Sequence, residues 1–403
     1  MVKKETNERK EEEAQGLYSQ LGVSHSKTDV HKAIKNVDQG LFPDCFCKVV
    51  EDLAGDPEMC AIFHADGAGT KSSLAYMMYK ETKNLDFFRG IVQDSVVMNL
   101  DDMLCVGVSG NVVLSNTIGR NGKLISGEII GTIINEYEQF TQKLTDLGFP
   151  ISTCGGETAD VGDLVRTLIV DSTAFARMPR AEVILPERIQ KNDVIVGLAS
   201  SGQTTYEATY NSGIGSNGLT LARHGTLSHD YFHKYPMCYA PELDEDLTFF
   251  GNHSLVDPLP NTPLTIGEGL LSPTRTYAPL LGPLLNSHRN EFHALYHCTG
   301  GGQVKCKKFG QNIHYIKNDL FTVPPIFQAI QASSQTQWRE MYQVFNMGHR
   351  MEVICSEEFA RTTLIPESEK LQIDSKIIGH IEFTDKHEGN RVTINTAFGD
   401  FQF

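Results

Sequence analysis

The sequence predicts a two-domain α/β protein, and three observations carry that expectation. The chain has 403 residues, long for a single hydrophobic core. Strand-like and helix-like segments alternate, as α/β or α+β architecture requires. A fresh apolar run, DVIVGLA at 193–199, then opens a second series after Met178-Pro179-Arg180. The boundary therefore falls there, giving domains of residues 1–178 and 179–403.

In the first half, residues 59–65 (MCAIFHA) read as a buried strand that ends in the turn chemistry of Asp66-Gly67. Residues 71–80 read as a helix, 90–107 as an amphipathic helix, and 128–147 as another closed by Gly148. The segment 164–176 is rich in Leu, Ile, Val and Thr and predicts a strand. In the second half, the 193–199 strand runs into Ser200-Ser201-Gly202 and a polar stretch to Gly218. Residues 257–273 carry four prolines and read as loop, 274–286 as a helix despite Pro279 and Pro283, and 351–355 and 377–383 as strands.

Composition narrows the function. Formal charge is 35 − 50 = −15, which argues against a nucleic-acid backbone as partner. An acidic site still suits a small phosphorylated ligand held through Mg²⁺. There is no apolar run near the roughly 18 residues of a membrane span. Residues 1–15 lack the apolar core of a secretory signal and read as a solvated tail. Nine cysteines without a C-x-x-C pair fit a reducing compartment, so a cytoplasmic location is expected. Cys60, Cys105, Cys154, Cys298 and Cys355 sit among apolar residues and read as core. His229 and His233 have i,i+4 spacing but neither an H-E-x-x-H pattern nor a nearby carboxylate pair, so no metal role is assigned.

Four segments could carry chemistry. Asp66-Gly67-Ala68-Gly69-Thr70-Lys71-Ser72 is not a Walker A loop, because Thr70 stands where that loop has Gly before Lys. It is either a phosphate contact, with glycines, a helix start and a cation together, or a tight turn capped by Asp66. On the 90–107 helix, Asp94 and Asp101 fall nearly one above the other, with Asp102 about a quarter turn away. Val96, Leu100, Met103 and Leu104 take the opposite face, so the carboxylates form either a solvated face or a divalent-cation site. Gly155-Gly156-Glu157 follows a strand-like 151–154 and is either a ligand approach or a turn. Gly300-Gly301-Gly302 after His297-Cys298-Thr299 is either a phosphate or backbone approach or a flexible loop.

Taken in order, these blocks resemble the phosphoribosylformylglycinamidine cyclo-ligase (aminoimidazole ribonucleotide synthetase) family, over about residues 17–382. The matching blocks include Asp66 to Lys71, Gln93-Asp94 through Asp102, Gly155 to Ala159, Ser200-Ser201-Gly202 and Ser216-Asn217-Gly218. Ser272 to Arg275, His297 to Gly302 and Phe345-Asn346-Met347-Gly348 complete the series. The resemblance implies a homodimer whose N-terminal domains join into a β-barrel, with a C-terminal α/β sandwich. It implies ATP-dependent cyclisation of formylglycinamidine ribonucleotide, through phosphorylation of the formyl amide oxygen, with ATP and Mg²⁺ as cofactors. It also implies roles for single residues. Asp66, Asp94, Asp101, Asp102 and Glu157 would meet Mg²⁺. Gly67, Gly69, Thr70 and Lys71 would meet phosphates. Asn217, Gly300, Gly301 and Gly302 would meet substrate or phosphate. Lys71, Glu157 and His297 would be catalytic, His297 either orienting or protonating a reacting group or serving as a core histidine.

Two departures mark a divergent branch. The family's Val-Asn-Asp appears as Leu100-Asp101-Asp102. Thirteen residues, 203–215, separate Ser-Ser-Gly from Ser-Asn-Gly, and none is histidine, so the family's histidine in that block lacks a counterpart. The competing expectations are a sister ATP-using enzyme of the same superfamily acting on another small substrate, and a non-catalytic nucleotide-binding paralogue.

Overall fold

Two sheets divide the strands between them, one of five strands and one of seven. The computed structural model describes residues 16–24, 33–34, 36–385 and 388–403; the expected tail at 1–15 lies outside the described residues. The first sheet contains β1 (Val49–Glu51), β2 (Met59–Gly67), β3 (Val112–Arg120), β4 (Ile151–Asp160) and β5 (Leu168–Pro179), in the order β1-β2-β5-β3-β4. Alternation along β5 gives the sheet two faces: Leu168, Val170, Ser172, Ala174, Ala176 and Met178 are buried, while the residues between them are not. The expected strand is present, shifted toward its C-terminal side.

The inner face is covered by α2 (Asp86–Leu104) and α3 (Gly127–Asp146), which follow α1 (Lys71–Thr82). Helix α3 starts at Ser126, whose hydroxyl accepts from Ile129 N at 3.4 Å, and buries one stripe through Ile129, Ile133, Tyr137, Phe140 and Leu144. The Tyr137 hydroxyl joins three elements, lying 3.2 Å from Ser95 Oγ and 3.0 Å from Ser172 Oγ. The amphipathic reading of α2 is corrected here. Residues 94–104 are all buried, because the helix lies between the first sheet and the second half of the chain and exposes no acidic face.

The second sheet contains β6 (Val194–Ala199), β7 (Ala294–His297), β8 (Ile313–Lys317), β9 (His349–Cys355), β10 (Ser375–Phe383), β11 (Arg391–Thr396) and β12 (Gly399–Gln402). Its order is β12-β11-β8-β10-β6-β9-β7, antiparallel except for the β11–β8 pair. β6 and β9 are buried at every position, which accounts for the unbroken apolar run of β6, whereas β9 also buries His349, Arg350 and Glu352. Helix α4 (Ala278–His288) carries Pro279 in its first turn and Pro283 inside, as expected for this segment.

At β4 the turn reading of Gly155 to Glu157 and the core reading of Cys154 fail. Gly155 to Ala159 belong to the strand itself, with a register shift opposite Leu114/Asn116 where Gly155 takes a positive φ of 85°. Cys154 is exposed, because β4 is the edge of its sheet.

Gly302 is fixed by packing. A Cβ there would lie 2.6 Å from the Phe345 carbonyl oxygen and 2.7 Å from that of Tyr342, at the end of α5 (Trp338–Val344), and φ is +51°. Gly302→Ala is expected to destabilise by about 2–4 kcal/mol, from left-handed strain plus overpacking. Chemical denaturation checks this; a loss under about 0.5 kcal/mol would contradict the packing argument.

Candidate functional site

The acidic helix lies at the junction of the two halves, and each of its carboxylates has its own partner. Asp94 Oδ1 accepts from Lys71 Nζ at 2.8 Å, Thr274 N at 2.7 Å and Thr274 Oγ1 at 2.6 Å. Its second oxygen, Oδ2, is buried without a hydrogen-bond partner. Asp101 Oδ1 accepts from Thr276 Oγ1 at 2.9 Å, and Oδ2 faces Arg350 at 3.4 Å. Burial pushes the Asp101 carboxyl above its ordinary value, against the pull of His297 and Arg350. Asp102 Oδ1 accepts from His297 Nδ1 at 2.6 Å, and Oδ2 lies 3.3 Å from His64 Nε2. Burial opposes ionisation of Asp102, but hydrogen bonds from His297 and then His64 hold it well below the usual carboxylate range.

The two histidines respond in opposite directions. Burial lowers His297 despite Asp102, and its Nε2 is buried with no partner. At His64 burial also lowers the imidazole, but Asp102 more than offsets it, and the net shift is upward. His64 Nδ1 lies 3.1 Å from Asn99 Oδ1, so Asn99 fixes its ring. Sequence reading passed over His64 and Asn99; a histidine inside an apolar strand was the available signal.

Lys71 departs from the phosphate-contact expectation. It is fully buried, and its ammonium donates to Asp94 Oδ1, to Gly215 O at 3.1 Å and to Ser272 O at 2.6 Å. An ammonium has three N–H donors, and all three are used, so Lys71 presents none to a phosphate in this conformation. It ties α1 and α2 to the second half of the chain. Burial lowers its proton affinity, with Asp94 opposing.

The exposed part of the motif is Gly69-Thr70, at the start of α1; Gly67 is half-buried. Gly67 cannot carry a side chain, since a Cβ would run into the Asp171 carboxylate. Asp171 was also missed, though a lone carboxylate inside the apolar segment LIVDSTAFA marks it. Burial raises it, and the charge of Asp66 raises it further, so these two carboxylates feel one another.

Glu157 is not gathered with the acidic helix. It pairs with Thr117, which pairs with Asp171, so Glu157 shares the outward face of the sheet while α2 covers the other. Among the described residues, Asp66, Asp94, Asp101, Asp102 and Glu157 do not form a ready cluster of three ligand atoms.

The later blocks are closely packed. The 203–215 segment covers the Ser272–Arg275 block: Glu207 accepts from Arg275 Nε at 3.0 Å and Nη2 at 2.6 Å, and Ser212 N donates to Ser272 Oγ at 3.1 Å. Asn217 and Gly300 are half-buried, whereas Gly301 and Gly302 are buried. His224 is a core histidine: its Nδ1 accepts from Phe249 N at 3.2 Å, and burial lowers it to about 2.

Comparison with known proteins points to the same relatives. Residues 46–178 match the family described as AIR synthase related protein, N-terminal domain. The phosphoribosylformylglycinamidine cyclo-ligase of Methanococcus vannielii is 29% identical over 319 residues, covering 79% of this chain and 76% of the relative. That of Methanocaldococcus jannaschii is 28% identical over 333 residues, covering 82% and 81%. Among solved structures, T. maritima PurL complexed with FGAR superposes with a TM-score of 0.53 at 12% identity over 94% of this chain, and PurL complexed with ADP with 0.51. The chain spans about half the length of those PurL structures, 49% and 47%, and at that identity they show the fold alone. No helix among the described residues is long and apolar enough to cross a membrane. The chain is thus similar to phosphoribosylformylglycinamidine cyclo-ligases over about four-fifths of its length, and its residues 46–178 match the AIR synthase related N-terminal domain.

Proposed function

We propose that this protein uses ATP to cyclise formylglycinamidine ribonucleotide to aminoimidazole ribonucleotide, a step of purine biosynthesis. The observation that carries the reading is that relatives named for this reaction align over about four-fifths of the chain. The chemistry asks for positioning and charge control. Phosphorylating the formyl amide oxygen makes it a leaving group, and the amidine nitrogen then closes the ring.

The residues divide that work. Gly67, Gly69 and Thr70 lead into the N-terminus of the twelve-residue α1, the positive end of whose dipole suits phosphate oxygens. Asp66 and Asp171, close enough to feel each other's charge, are hard oxygen donors of the kind Mg²⁺ takes. When bound, Mg²⁺ supplies neutralisation of phosphate charge. Lys71 holds Asp94 and the second half in register. Asp102 and His64 orient His297, whose buried Nε2 is the free end of the relay. Asn217 and Gly300 line the approach from the second half.

Homodimer formation is part of the proposal. The outward face of the first sheet exposes Phe63, Val113 and Ile169, with Phe63 packed against Phe175, and a second copy closing over it would complete a barrel and bury this apolar surface. Glu157, on the same face, would then lie near that interface.

Incubation of the purified protein with formylglycinamidine ribonucleotide, ATP and Mg²⁺ is expected to yield aminoimidazole ribonucleotide and ADP in equal amounts. ATP binding without product would transfer the assignment to a sister substrate or a binding role.

A further inference from the structure

We infer that His229, His233 and Glu245 form a surface site for a borderline divalent transition metal, Zn²⁺ foremost. Sequence spacing alone offered only the two histidines. The structure adds the carboxylate: ligand atoms of all three residues lie within 4.8 Å of one another, and all three are exposed.

The local structure accounts for this arrangement. His229 caps the short helix Asp230–Lys234 with helical dihedrals, φ −56° and ψ −19°, so His229 and His233 share one face. Glu245 opens the 3-10 turn Glu245–Leu247, which Thr248 closes by donating from its hydroxyl to Asp244 O at 3.0 Å. Thr248 also orients the first histidine, since its carbonyl accepts from His229 Nδ1 at 3.1 Å. With the proton on Nδ1, the lone pair of a neutral His229 sits on Nε2 and faces Glu245 Oε1 at 3.4 Å. Either a proton on Nε2, giving an imidazolium–carboxylate pair, or a metal cation in its place satisfies that contact, and the third ligand, His233, is what favours the metal. A backbone carbonyl behind the distal ring nitrogen is the usual support of a metal-bound imidazole.

The 3.4 Å separation matches the roughly 3.3 Å between two ligands of one tetrahedral zinc ion with bonds near 2.0–2.1 Å. Phe232 holds both rings, stacked on His229 at 5.1 Å and edge-on to His233 at 5.1 Å, and it packs on Tyr239 at 4.9 Å beneath. Two imidazoles and a carboxylate favour zinc, cobalt, nickel or copper over magnesium.

The site would pin the two ends of the 234–244 excursion. That excursion crosses to the first half, where Lys234 Nζ pairs with Glu81 at 2.6 Å and Tyr235 donates its hydroxyl to Glu81 at 2.5 Å. A bound metal would therefore stabilise a junction between the halves and take no part in the reaction.

The test uses full-length, untagged, metal-free protein with Co²⁺ and Zn²⁺ as probes. One equivalent of Co²⁺ is expected to bind with a visible d–d spectrum and no thiolate charge-transfer band, and Zn²⁺ should displace it. His233→Ala and Glu245→Gln are expected to weaken binding at least tenfold. Both should also abolish the zinc-dependent rise in Tm while leaving the metal-free Tm unchanged. Absence of stoichiometric binding, a thiolate spectrum, or wild-type affinity in both variants would overturn the inference. Binding is read without turnover, so this result stands apart from that of the cyclisation assay.

Discussion

Lys71→Met is expected to destabilise the protein by about 3–5 kcal/mol, the cost of leaving a buried carboxylate without its counter-ion. Both side chains of the Lys71–Asp94 pair are fully buried at 2.8 Å. Methionine fills much the same volume, so cavity formation contributes little, and the loss reports the stranded charge of Asp94. It also frees the carbonyls of Gly215 and Ser272, which now accept from Nζ. Adding Asp94→Asn should recover a large share, because the second change removes the charge itself. Urea unfolding of the two single variants and the double variant measures the cycle. A Lys71→Met protein within about 1 kcal/mol of wild type, or a double variant no better than the single, would sink the interpretation. Were Lys71 instead a phosphate ligand, as its motif suggested, the substitution would weaken nucleotide binding and leave apo stability nearly intact.

The contrast shows what the sequence could convey. Periodicity located β2, α1, α2, α3, β5, β6 and β9 because each has a one-sided or wholly apolar pattern. It missed β3, whose residues VVLSNTIGR alternate poorly, and β12, four edge residues with no apolar signature. The ordered glycine and carboxylate blocks pointed to the family, and the relatives agree. Spacing could not say where each carboxylate of α2 ends up. Asp94, Asp101 and Asp102 meet Lys71 and Thr274, Arg350 and Thr276, and His297 and His64, most of them far away in sequence. The second sheet buries the face of α2 that local pattern assigns to solvent or metal. Glu245 was invisible for the same reason: its approach to His229 depends on how the 234–244 excursion folds back.

Asp102→Asn is expected to reduce turnover by about 10²–10⁴-fold while the fold persists, since the amide keeps the shape and loses the charge that orients His297. The electrostatic signature separates this positioning role from general damage. In the wild type, His64 should titrate above 6.5 and His297 below it, one carboxylate serving both. In the variant, His64 should drop, because Asp102 is what offsets its burial. The linkage signs follow from those directions. Asp102 is lowered from 3.8, so its contribution to stability is present above that value and is lost as pH falls through the folded value. His64 is raised from 6.5, so its contribution is complete below that value and is lost as pH rises through the folded one. The wild-type advantage over Asp102→Asn should therefore peak between about pH 5 and 6.5 and shrink on both sides. His297 adds to the advantage on the acid side. Asp102 raises its imidazole against burial, so without that charge the preference for the neutral ring deepens and the variant loses more stability than the wild type as pH falls below 6.5. Imidazole NMR titrations and unfolding across pH read both effects. A His64 that titrates identically in the two proteins, or turnover within threefold of wild type, would show that Asp102 neither shares its charge with His64 nor sets the His297 ring.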